Sequence, residues 1–143
     1  MNLNRIYHLY DMIKKRLPAT YERPKLAFFE DEDSMLENTN TKRDEDDESV
    51  YAVVSPETLT ISFPMTMKFK YTKKNGEEFI KNVPITKLSD ENIAHTILHE
   101  WGHLYAGERY GYESKQYSDE AYCDRFASRW IRILIKEKLL QEE

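Results

Sequence analysis

One cysteine, Cys123, is all that the 143 residues contain. A disulfide within the chain is therefore excluded, which fits a reducing compartment. No apolar stretch approaches the roughly 18 residues that a membrane-spanning helix needs, so no membrane partner is expected. Residues 1–16 lack both a continuous apolar stretch and a small-residue cleavage site. They are read as an amphipathic helix, not a signal peptide, and a cytoplasmic location is expected. Nor is there a Lys/Arg stripe interleaved with aromatic residues, so no nucleic-acid partner is expected. Histidine is scarce too: His8, His95, His99 and His103 are the only four, and none follows His103.

What is present is a globular composition. Apolar residues make up 40%, with ten tyrosines and six phenylalanines, enough to build a core in one domain spanning 1–143. Charge is unevenly spread. Residues 30–50 hold ten acidic side chains against Lys42 and Arg43, a balance of −8 within a chain of net −5. That stretch is poor in apolar residues and is expected to be a long mobile loop. It lacks the glycine and the alternate-residue ligand spacing of a calcium loop. Its charge alone suggests a docking segment or lid for a basic partner.

Spacing gives the elements. Leu3, Ile6, Tyr7, Tyr10, Ile13 and Leu17 recur every three or four residues, marking one face of a helix ended by Pro18. A strand is expected at Lys25–Phe29. Strands at 49–54 and 58–64 flank a Ser55-Pro56-Glu57 turn. Strands at 68–72 and 79–83 flank Asn75-Gly76, a strong hairpin signal. Two helices follow. Ser89 is placed to cap the first, with Asp90 and Glu91 in its positive first turn and Leu88 and Ile93 as a staple; it should run 90–106 and stop near Gly107 or Gly111. The second is expected to open on Ser118, with Asp119 and Glu120 in its first turn and Tyr117 and Tyr122 as its staple. The fold class is α+β: an N-terminal helix, a small and mainly antiparallel sheet with hairpins, then two C-terminal helices.

The first of those two helices carries His99-Glu100-Trp101-Gly102-His103, an HExxH motif. Residues four apart lie one turn above each other on a helix, so His99 and His103 can reach one metal ion. Glu100 stands beside the metal and not on it, where it can take a proton from a metal-activated water. Gly102 costs a helix about 1 kcal/mol relative to alanine, which implies close approach of another backbone.

A catalytic zinc takes three protein ligands and keeps a position open. With no histidine after His103, the third should be a carboxylate, and Glu108, Glu113, Asp119 and Glu120 are in reach. Glu108 and Glu113 are too near the motif to fold back easily. Glu120 lies in the first turn of the next helix with Asp124 on the same face. Glu120 can then bind metal while Asp124 accepts an N–H from a ligand histidine. Two histidines and a carboxylate favour zinc over calcium or magnesium.

HExxH followed by Glu120-x-x-x-Asp124 resembles the gluzincin arrangement. Glu120-Ala121-Tyr122-Cys123-Asp124-Arg125-Phe126-Ala127 is also similar to the E-x-x-A-D/N-x-F-A run of ImmA/IrrE-type small metallopeptidases, departing at Cys123, where alanine is usual there. The resemblance covers residues 88–134, about a third of the chain. It implies a minimal zincin-like fold and peptide-bond hydrolysis by zinc-activated water. His99, His103 and Glu120 would be the metal ligands, Glu100 the general base, and Asp124 the support for a ligand histidine. It implies a protein or peptide substrate held on a strand edge, for which 58–63 is the expected strand. Members of that type often act on regulatory proteins such as repressors; no helix-turn-helix is evident in this chain. The alternative is a catalytically inactive, zinc-stabilised protein-interaction module, against which stands Glu100, a residue no structural zinc needs.

The lesser residues have plainer readings. His8 is expected on a helix surface; His95, one turn before His99, is expected either to face the site or to lie on the helix surface; Cys123 and Trp101 are expected in the core. Tyr105, Tyr110, Tyr112 and Tyr117 cluster between the two motif helices. Any one of them is an oxyanion-stabilising candidate, and the sequence does not choose.

Overall fold

The structure is a computed structural model and describes residues 2–42 and 51–141. Helix α1 (Asn4–Arg16) follows the expected stripe: Ile6, Leu9, Tyr10 and Ile13 are buried, while Tyr7 is 43% exposed and rests edge-on against Phe28. The chain turns at Pro18 and enters β1 (Lys25–Phe29).

The expected acidic loop is corrected here. Residues 32–38 form a helix, α2 (Glu32–Asn38). Asp31 caps it, accepting the Ser34 N–H at 2.8 Å, and Glu32 and Asp33 sit where a helix N-terminus favours negative charge. Met35 and Leu36 are buried and anchor it. Two apolar side chains were enough, because the acids that made the stretch look loop-like stabilise the helix start. Residues 43–50 of that run, and with them the start of the strand expected at 49–54, lie outside the described residues.

Strands β2 (Val53–Ser55) and β3 (Thr60–Pro64) form the expected hairpin, and β4 (Thr66–Thr72) pairs with β5 (Glu78–Pro84) around Gly76. One mainly antiparallel sheet was expected; there are two. The first has the order β1-β3-β2, and β1 runs parallel to β3, Lys25 opposite Thr60 and Phe29 opposite Pro64. The second is the β4–β5 ribbon alone. A parallel pair needs a connection that returns the chain to the same end, and α2 lies within that connection.

After one 3-10 turn, α3 (Asp90–Tyr110) runs through the centre of the fold. Ser89 caps it as expected, accepting the Asn92 N–H at 3.1 Å, and it ends at Gly111, whose φ of +97° suits glycine. Ile93, Ile97, Leu98, Trp101 and Leu104 bury one face against α1 and the first sheet. Arg5 of α1 pairs with Asp90 and donates to the carbonyls of Thr86 and Leu88, pinning the start of α3. A four-residue helix, α4 (Lys115–Ser118), precedes α5 (Glu120–Lys136). The expected cap of α5 moves by one residue: Asp119 caps it, accepting the Tyr122 N–H at 3.2 Å, while Ser118 ends α4. With the cap at Asp119, the proposed Tyr117/Tyr122 staple is out of register. At a coarse level the fold is α+β, and no helix among the described residues is long and apolar enough to cross a membrane.

Candidate metal centre

The site sits where α3 and α5 touch. Gly102 makes that approach possible: a Cβ there would stand 3.3 Å from the Cys123 backbone and 3.1 Å from the Phe126 ring. The backbone contact expected from the sequence is therefore real, and it draws the first turns of α5 over the histidine stripe of α3.

His99 and His103 present their rings side by side, 5.2 Å between centroids. Each ring has one nitrogen held by an acceptor. Nδ1 of His99 lies 2.7 Å from Oδ1 of Asp124, and Nδ1 of His103 lies 2.5 Å from the Tyr117 carbonyl oxygen. A carbonyl accepts only, so the His103 Nδ1 must carry hydrogen. His99 meets a carboxylate at both ring nitrogens, so either of them can carry its hydrogen. In the form that binds metal, each Nε2 would offer its lone pair. Both face Glu120: His99 Nε2 is 2.6 Å from Oε2, and His103 Nε2 is 3.3 Å from Oε1.

Glu100 completes the group. Its carboxylate and one nitrogen of each histidine lie within 4.8 Å of one another. Burial, then the charge of Glu120, pushes its carboxyl up to about 8. His103 is buried, while the Glu120 side chain is 70% exposed, so one side of the site opens to solvent. The donor set of two imidazoles and a carboxylate fits a zinc ion. No family model, curated protein or solved structure matched this chain.

All five residues singled out from the motifs are thus brought together. Tyr117 is the residue whose part the sequence missed. Ser114 caps α4 and accepts the Tyr117 N–H at 3.2 Å, and that turn aims the Tyr117 carbonyl at His103. A backbone acceptor has no side-chain signature, so only the cap at Ser114 hinted at a turn there. Of the four tyrosines left open, Tyr117 lies against the site, its ring 5.8 Å from that of His103. Burial, with Tyr112, Glu100 and Glu57, raises its phenol above the ordinary range. Tyr105 and Tyr110 line a cavity elsewhere. Glu108 and Glu113 are exposed and join none of the site's contacts.

His95 is half-buried, its ring stacked 6.4 Å from His99, and burial lowers its pKa despite Asp124. With Tyr51, Phe69, Leu88, Asn92 and Thr96 it lines a cavity of about 250 Å³ beside the histidine stripe. His8 is exposed and Cys123 and Trp101 are buried, as read from the sequence.

The strand expected to hold a substrate is corrected. Residues 60–64 form β3, the central strand, with both edges paired to β1 and β2. A paired strand has no free N–H or C=O row to offer. The outer edge of β2 has no strand partner among the described residues, and β2 packs on α3. The segments flanking β2 reach the two ends of the site: Tyr51 lines the His95 cavity, and Glu57 lies within the electrostatic reach of Tyr117.

Proposed function

We propose that the chain is a zinc-dependent metallopeptidase of the gluzincin kind, similar to the ImmA/IrrE type. The observation that carries this reading is the convergence of both Nε2 atoms on Glu120 while both Nδ1 positions are occupied by acceptors. Two histidines falling four apart by chance have no reason to share a carboxylate while both Nδ1 positions face acceptors, and this supports the reading. His99, His103 and Glu120 would hold the ion. Zinc supplies Lewis acidity there, polarising a water molecule and the scissile carbonyl.

The chain's own residues supply the rest. Glu100 would stand beside the ligands; with a bound dication bringing its raised carboxyl back down, it would take the proton of the attacking water and pass it to the amide nitrogen as the C–N bond breaks. Tyr117 is the candidate donor to the carbonyl oxygen as it gains charge. The free edge of β2 would take an extended peptide by strand addition, and the cavity beside His95 would receive an apolar side chain.

Metal content by mass spectrometry tests the site directly. About one zinc per chain is expected in the wild type, with a clear loss in Glu120→Ala. Glu100→Gln should keep its zinc and lose roughly 10²–10⁴-fold in hydrolysis of a mixed peptide library. No zinc in the wild type after supplying it would sink the peptidase reading. Zinc retained with equal behaviour of wild type and Glu100→Gln would leave an interaction module instead.

A further inference from the structure

A second cavity, of about 360 Å³, lies on another side of the α3–α5 pair and shares no lining residue with the metal centre. Its walls are aromatic. The Tyr21 ring sits 4.7 Å from Tyr105, Phe126 sits 5.2 Å from Tyr105, and Tyr110 meets Tyr122 edge-on at 6.3 Å. Its rim is cationic: Arg109 comes from α3, and Arg125 and Arg129 from α5. No aspartate or glutamate lines it.

The cations belong to a larger pattern. Arg125, Arg129, Arg132 and Lys136 follow one another at spacings of four, three and four, and all are exposed. On a helix that spacing is a single face. No acidic residue occurs from 125 to 136, in a chain whose net charge is −5. The sequence reading expected no nucleic-acid partner because it found no basic stripe interleaved with aromatics. The folded α5 gathers one, with Phe126 and Trp130 beside it.

Arg109 donates to the Tyr105 hydroxyl at 3.3 Å and lies over the Tyr110 ring. Burial and Tyr105 raise the Tyr21 phenol, and Arg129 and Arg109 act against that. No carboxylate among the described residues pairs with any of the three arginines. Like charges one turn apart on a helix repel, and an anion between them would relieve this. Arginine forks match the planar oxygens of phosphate, and flat rings stack on tyrosine faces. A cavity of this size falls in the range of small-molecule sites.

We propose that this aromatic cup binds a nucleotide unit, its base against the tyrosine walls and its phosphate on Arg109, Arg125 and Arg129. The unit can come from a free mononucleotide or from a single strand, and the chemistry of recognition is the same. An acidic peptide would use the arginines and leave the ring walls idle. The inference is independent of the peptidase reading.

Isothermal titration calorimetry on the full chain tests it, with adenosine and uridine monophosphate, a hexamer of deoxythymidylate, inorganic phosphate and a hexaglutamate peptide. At least one nucleotide ligand should bind saturably and at least about tenfold more tightly than inorganic phosphate, as base stacking on aromatics would give. Arg125→Gln/Arg129→Gln, which changes only exposed side chains, should weaken that binding by about tenfold or more. Glu100→Gln should bind like the wild type. A mononucleotide that binds as well as the hexamer identifies a free nucleotide as the source; binding of the hexamer alone identifies a strand. The proposal is overturned if inorganic phosphate or hexaglutamate binds as tightly as any nucleotide, if the double variant binds normally, or if nothing binds at millimolar concentration.

Discussion

His99 and His103 occupy equivalent positions on their helix, yet their Nδ1 partners differ in kind. One is a side chain, Asp124, and the other a main-chain carbonyl, that of Tyr117. Substitution therefore acts on them differently. Asp124→Ala frees the His99 ring and should weaken zinc binding by about 10–100-fold, the usual effect of removing such a support. Tyr117→Phe keeps the carbonyl and removes only the hydroxyl. Its zinc affinity should stay within about twofold of wild type while peptide hydrolysis falls. Competition with a chromophoric chelator measures both affinities, and equal losses in the two variants would contradict the assigned roles. Cys123 gives a third check at this scale. Burial pushes its thiol up to about 12, and it is fully enclosed. A thiol reagent at pH 8 should leave the native protein unmodified and label it once unfolded in urea. The sign of the linkage follows. The folded state keeps the proton that the unfolded thiol releases near pH 9, so stability falls as pH rises from about 9 to about 12.

At the scale of elements, the distance between α3 and α5 decides whether the ligands meet. Gly102→Ala is the informative change. Alanine favours the helix by about 1 kcal/mol, but its Cβ would press on the Cys123 backbone at 3.3 Å and on Phe126 at 3.1 Å. Backbone cannot rotate away as a side chain can, so α5 must slide, carrying Glu120 and Asp124 with it. Zinc affinity should drop by tenfold or more while urea stability changes by about 1 kcal/mol at most; a stability loss without an affinity loss would show that the helices tolerate the methyl group. Gly102 was legible in the sequence for the same reason that α3 was. A helix interior rarely keeps a glycine without a neighbour, and Ser89, Asp90 and Glu91 announce a start that depends on local backbone groups. The second helix and its Glu120/Asp124 pair were legible through four-residue spacing. The split into two sheets was not, because the β1–β3 pairing joins residues 35 apart, Lys25 and Thr60, and nothing local records it. Helix α2 was hidden by composition: Met35 and Leu36 are its only buried apolar residues, set among acids. That the outer edge of β2 has no strand partner among the described residues followed from that topology and could not be read before it.

At the scale of the whole molecule, the proposed metal would add to a helix pair that is already packed through Gly102 and the core. Glu120 is 70% exposed and meets α3 at the two imidazoles. Three groups held by one ion would tie the centre of the fold to its last helix. Anything bound by the native state alone raises stability by RT ln(1 + [L]/Kd), about 4 kcal/mol when free zinc exceeds Kd a thousandfold. For a domain near this size each kcal/mol moves the melting temperature by roughly 2–4 °C, giving about 8–16 °C in all. Differential scanning calorimetry with and without a chelator should show that drop in the wild type. His103→Ala should melt close to the chelated wild type and respond little to added zinc. Glu100→Gln should respond as the wild type does, since in the proposed site its carboxylate is the base and Glu120 the third ligand. If chelation left the wild-type transition unmoved while zinc was still counted in the protein, the ion would be bound somewhere other than between α3 and α5. The double substitution at Arg125 and Arg129 should change none of these transitions, because neither side chain belongs to the proposed metal site and both are exposed.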